Sequence, residues 1–170
     1  MKKHSGLRPQ DILVLLKIAA KKSTPWLMRD LANELGISPS EISESLNRSM
    51  LADLLAADKQ KLMTASLLEF LQYGLKYVYP QKPGSIVRGM PTSHSAPPLN
   101  RLIKSDEHYV WPYAQGQVLG QSIEPLYKTV PKACEKDQFL YELLALTDAL
   151  RIGKSRERNL AIAELKERLS

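Results

Sequence analysis

Apolar residues recur at helical spacing in the front part of the chain, scatter among prolines across its middle, and return at helical spacing near its end. From Pro9 to Lys22 the run Ile12, Leu15, Leu16 and Ala19 predicts a helix, with Pro9 acceptable in the first turn and Asp11 facing the positive end of the macrodipole. Ser23 or Thr24 is placed to cap a second helix that Pro25 can open, with Leu27, Leu31 and Leu35 on one side and Gly36 as its stop. Ser38 then caps a third helix starting at Pro39, whose Ile42 and Leu46 return to the apolar side. Leu67, Leu68, Leu71 and Leu75 mark a fourth, over residues 62–75.

Beyond it the pattern changes period. Lys76-Tyr77-Val78-Tyr79 and Ser85-Ile86-Val87-Arg88 hold strand-forming residues about Pro83-Gly84, which suits a type II turn, so a hairpin is predicted. Eight of the eleven prolines fall between Pro80 and Pro131, which excludes long helices from most of that interval. Tyr109, Trp111 and Tyr113 alternate, so in a strand they share a face, and core is their expected place; a pocket or a second chain are the alternatives. From Asp137 to Ile152, Leu140, Leu143, Leu144, Thr147 and Leu150 predict an amphipathic helix ended by Gly153, and Ser155 is placed to cap another.

The chain has 170 residues, 44% of them hydrophobic and 25% charged, which is the balance of a globular protein with a real core. No apolar run approaches the roughly 18 residues of a membrane span. Residues 12–20 are not expected to act as a secretion signal, because Asp11, Lys17, Lys21 and Lys22 interrupt or flank them with charge. With one cysteine, Cys134, no internal disulfide forms, and a reducing, cytoplasmic setting is expected with Cys134 as a packing residue. The net charge of +6 is uneven: residues 1–91 carry 13 basic and 8 acidic side chains, residues 92–170 carry 11 and 10. A polyanion would therefore meet the front half.

The string from Met28 to Asn47, MRDLANELGISPSEISESLN, places Ala32 where two helices approach, Gly36 at the turn, and Ile37, Ile42 and Leu46 inward. It resembles the helix-turn-helix of bacterial DNA-binding regulators of the MarR and IclR types. A plain helical hairpin with a glycine cap explains the same apolar residues. With the hairpin after residue 75, the order of elements resembles a winged helix. The fold class expected is mainly α with a small β hairpin, a winged helix-turn-helix plus a C-terminal helical hairpin. Its domains would be a winged helix-turn-helix over 1–91, a proline-rich connecting segment over 92–134, and a helical hairpin over 135–170 for dimerisation or partner docking.

That resemblance implies a transcriptional regulator whose third helix enters the major groove of double-stranded DNA as a homodimer. Ser38 caps that helix, and Ser40, Ser43, Glu44, Asn47 and Arg48 would face the bases. Asn47 would pair with adenine, Arg48 with guanine or phosphate, and Glu41 or Glu44 with cytosine amino groups. Because two acids outnumber one arginine there, phosphate contacts are expected from Lys21, Lys22, Arg29, Lys76, Lys82 and Arg88, with Lys82 at the wing tip. Arg48→Ala and Lys82→Ala would then weaken binding without unfolding the protein.

No cofactor, metal site or catalytic residue is expected. His4, His94 and His108 lack metal-ligand spacing, no phosphate-cradling glycine loop occurs, and Ser93, His94 and Ser95 are sequence neighbours that point apart on an extended segment. The alternative to a regulator is an antitoxin-like or protein-interaction subunit that holds a partner enzyme. Between the last two helices Arg151, Lys154, Arg156 and Arg158 against Glu157 offer a second charged patch, with a solvated connection as the commoner explanation.

Overall fold

A computed structural model describes residues 6–170, so His4 and the first lysines lie outside the described residues. The first helix, α1 (Pro9–Lys21), opens as the sequence indicates, and the Asp11 carboxylate accepts from the Arg8 main-chain N–H at 2.8 Å. The second, α2 (Met28–Leu35), starts later than Pro25. Neither Ser23 nor Thr24 caps it; the Asp30 carboxylate accepts from Leu27 N–H instead, while Trp26 is buried and pins the connection. Gly36 then adopts φ +64°, the left-handed conformation that glycine takes without a steric penalty, and Ile37 N–H returns to the Ala32 carbonyl. The third helix, α3 (Pro39–Leu51), begins with Ser38 Oγ accepting from Glu41 N–H at 3.2 Å.

After α4 (Thr64–Tyr73), residues expected to start a hairpin form a short helix, α5 (Leu75–Val78). Among the described residues Gly36 alone of the glycines has positive φ, so Pro83-Gly84 is not the type II turn expected. The β-formers after it do make a strand, β1 (Ile86–Pro91), but its partners lie downstream. They are β2 (Tyr109–Pro112) and β3 (Val118–Ser122), both antiparallel to β1 and paired in parallel with each other, which closes a three-stranded barrel. Gly89 faces Pro112 on one side and Val118 on the other. A Cβ there would lie 2.0 Å from the Trp111 carbonyl oxygen, so the closure requires glycine.

The remaining helices are α6 (Val130–Glu135), α7 (Gln138–Ile152) and α8 (Ser155–Leu169). Asp137 caps α7 through Leu140 N–H, as its position suggests; Ser155 does not cap α8. The protein is mainly α with a small sheet, and its apolar core is continuous from α1 to α8. Two helices run through it with little solvent on any side: Asp11–Ile18 of α1 and Leu143–Leu150 of α7 are buried without interruption. Each fully buried Leu or Ile side chain in them contributes about 1.5–3 kcal/mol.

This continuity runs across the expected domain boundaries. A cut at 91 separates β1 from both of its partners, and the proline-rich segment is no connector, since it supplies β2, β3 and the buried Val110 and Trp111. The C-terminal hairpin packs inside the same molecule, α7 against α1 and α8 against α7 and α4. Trp111 is core, as expected; Tyr109 stacks edge-on against His94, and the Tyr113 hydroxyl donates to Glu135.

Candidate nucleic-acid interface

Helix α3 packs on α1 and α2 through Ile42, Ser45, Leu46 and Ser49, all buried. Its opposite side is open. Ser38, Ser40 and Glu44 are exposed, Ser43 and Asn47 are half-buried, and Leu51 at the far end is exposed. Positions 40, 43, 44, 47 and 51 follow helical spacing, so they form one continuous stripe.

Arg48 does not belong to that stripe. Its side chain is 8% exposed, and its guanidinium donates from Nε and Nη2 to the Asp11 carboxylate at 2.8 Å each, with Glu41 as a further acceptor. Gln10 donates to Glu41 from the α1 side. The hydrogen bonds to Asp11 raise the Arg48 pKa further, outweighing burial, and Glu41 is held below its usual range because Arg48 and Gln10 overcome its desolvation. The structure thus places Arg48 away from the open face on which it was expected to read a base: Asp11 of α1 and Glu41 of α3 hold it. A clue existed in the sequence, since Asp11 opens an otherwise apolar buried run and such a carboxylate requires a cation.

The cations expected around α3 divide into two groups. Arg29 on α2 is 77% exposed, and Lys22, just past α1, is exposed with its Nζ 4.9 Å from the Phe139 ring centroid. Lys21 is committed to Glu34 at 2.8 Å. The second group lies off the expected wing: Lys82 is exposed in the irregular segment between α5 and β1, not at a hairpin tip, and Lys76 sits over the Tyr77 ring in α5. Arg88 extends from β1, with Gly116 O at 3.5 Å, in a sheet whose helical neighbours are the 3-10 turn at Ser93–Ser95 and α7 behind it.

Sequence reasoning missed a third group. Lys132 and Lys136, four apart on and just past α6, line a cavity of about 680 Å³ together with Asn33, Leu35, Gly36 and Thr129, at the turn that leads into α3. Glu34 and Asp137 border the same cavity, and both are bound by the buried Lys17, at 2.8 and 2.6 Å. Burial opposes the Lys17 charge, but its hydrogen bonds to Asp137 and Glu34 prevail and raise its pKa. The spacing of Lys132 and Lys136 was the available signal; what it lacked was the packing of α6 beside α2.

Elsewhere the chemistry-bearing residues are occupied structurally. The His94 ring nitrogen bonds the Glu107 carbonyl at 2.9 Å and Ser95 Oγ accepts from Tyr109 N–H, while the buried Ser93 Oγ has no hydrogen-bond partner. Asp148, 2% exposed, accepts from Thr92 Oγ1, Trp111 Nε1 and Arg151 Nη1. Burial pushes the Cys134 thiol far above its usual range, away from the thiolate. The charged connection after α7 is largely committed to carbonyls: Arg158 donates to Leu150 and Gln72, Arg156 to Leu102. Among the described residues no helix is long and apolar enough to cross a membrane, and no group of three or more His, Cys, Asp or Glu is placed to hold a metal. Comparison of the chain with known families, curated proteins and solved structures finds no match.

Proposed function

We propose that the chain is a sequence-specific DNA-binding regulator of transcription in which residues 9–51 act as a helix-turn-helix and α3 reads the major groove. The observation that carries this reading is the polar stripe of Ser40, Ser43, Glu44 and Asn47 on a capped helix that begins directly after a glycine turn. Asn47 would bond an adenine edge, the serines would donate or accept, and Glu44 would accept from a cytosine amino group. Arg48 contributes by fixing α3 on α1 through Asp11, which holds the reading stripe in register. A homodimer on half-sites about 10 base pairs apart is the assembly this mode of binding favours. The resemblance to MarR and IclR regulators supports the helix-turn-helix; the wing has no support from residues 76–88.

The test is selection of bound duplexes from a random pool, followed by footprinting of the enriched sequence. A shared motif whose recognition is relaxed at one position by Asn47→Ala supports the assignment; enrichment of no motif refutes it. A second reading, an antitoxin-like protein-interaction subunit, draws on exposed apolar side chains beside the same stripe: Leu27 at 55%, Met28 at 47% and Leu51 at 65%. Stoichiometric co-purification of one partner, lost in Leu51→Glu, would favour it.

A further inference from the structure

An α3 whose exposed charge is Glu44 and whose arginine is enclosed has no cation of its own for phosphate. Binding to duplex DNA draws most of its affinity from neutralised phosphates, so the cations must stand beside the helix. We propose that α6 supplies them: Lys132 and Lys136 form a phosphate clamp on the DNA backbone flanking the groove that α3 enters. This inference rests on the DNA-binding reading above and adds to it the element that anchors the duplex.

Several observations converge on α6. The two lysines are four residues apart, both exposed, and among the described residues neither has an ion-pair partner. They share one concavity with Asn33, Leu35 and Gly36, and Gly36 leads within two residues to Ser38, the start of α3. Two of the three acids near them are paired with other lysines, and the third, Glu135, keeps its charge but is turned to a tyrosine. Lys17 and Lys21 hold Glu34, Lys17 holds Asp137, and Glu135 accepts the Tyr113 hydroxyl.

The clamp is also mounted rigidly. Val130, Pro131, Ala133 and Cys134 bury the other side of α6, and the Thr129 methyl lies 3.4 Å from where a Gly36 Cβ would stand. Cations attached firmly to the turn before a reading helix are placed to set its depth and register, as phosphate contacts do generally. The concavity is lined by Gly36, two residues before the Ser38 that opens α3, which is why one duplex, rather than a separate acidic ligand, is the occupant assigned.

The test measures the salt dependence of binding by the full chain to a short fluorescent duplex of random sequence, by anisotropy over a KCl series. Each phosphate contact contributes about 0.9 to the slope of log K against log salt, so Lys132→Gln/Lys136→Gln should reduce the slope by about 1.8. The matched control Lys154→Gln/Lys166→Gln removes the same charge from two exposed lysines near α8 and should leave the slope nearly unchanged. Equal slopes for the α6 variant and the parent overturn the clamp while leaving the reading of α3 intact, and so does an equal loss in both double variants. Absence of salt-sensitive binding by the parent overturns the DNA reading itself, and the clamp with it. Unchanged thermal melting of both variants establishes that folding is not the cause.

Discussion

Arg48 and Asp11 meet inside the protein, two nitrogens against two oxygens at 2.8 Å, and join α3 to α1. Removing one member leaves a buried charge uncompensated, which costs about 3–5 kcal/mol. Arg48→Met is therefore expected to lower the urea midpoint strongly, and Asp11→Leu/Arg48→Met to lose less than the sum of the two single changes. A variant Arg48→Met as stable as the parent would show that the pair is not needed. Arg48→Ala is accordingly expected to destabilise the fold, contrary to the role in base contact that its position in α3 suggests.

Acid should weaken the same region. Glu41 and Glu34 are both held below the ordinary value of 4.5, so they stabilise the folded state above that pH and cease to do so as pH falls through their depressed values. Lys17, raised above 10.5, contributes below that value and loses its contribution as pH rises through the raised one. The urea midpoint of the parent should be lower below pH 4.5 than at pH 7, and Glu41→Gln should show a smaller decline. An identical decline would remove Glu41 from the account. Glu34, 41% exposed, should matter less, because water screens its pair.

The carboxylate of Asp148 satisfies a threonine, an indole and a guanidinium at once. Asp148→Ala leaves all three without that partner in a dry interior, so a loss of about 3 kcal/mol or more is expected. In a chain of this size that corresponds to a melting point lower by roughly 6–12 °C. Thermal denaturation followed at the Trp111 near-ultraviolet band would measure it, and a shift under one or two degrees would contradict the network's importance.

Two glycines should respond differently to alanine. At Gly36 the added methyl meets only ordinary contact with Thr129, so the penalty is that of positive φ, about 1 kcal/mol. At Gly89 it would stand 2.0 Å from a carbonyl oxygen, and the barrel cannot close around it. Soluble, folded Gly36→Ala beside misfolded Gly89→Ala, read by circular dichroism, is the expected pair of results.

Local signals in the sequence located most helix ends. Gly36, Ser38 and Asp137 act through bonds to residues within four positions, Pro9 and Pro39 through their fixed φ, and all of them behave as their chemistry indicates. The sheet was not legible in the same way. Tyr77 and Val78 have strand preferences, but they lie exposed on the short α5 whose Leu75 is the buried anchor, and the true partners of β1 begin at Tyr109 and Val118. For Arg48 the surface reading failed because its partner lies 37 residues earlier on another helix. Lys132 and Lys136 were visible as a pair, yet nothing local told which turn they would stand beside.

Lys17 in α1 reaches Asp137 at the head of α7 across 120 residues of sequence. While the chain emerges from a ribosome, the first helix can meet Glu34 and α3 early, but Lys17 lacks its second carboxylate and α1 lacks the cover of α7 until the last third has been made. Closing so long a loop comes late and slows completion of the native state. The face of α1 that α7 covers thus stays open to chaperones and proteases until late in synthesis.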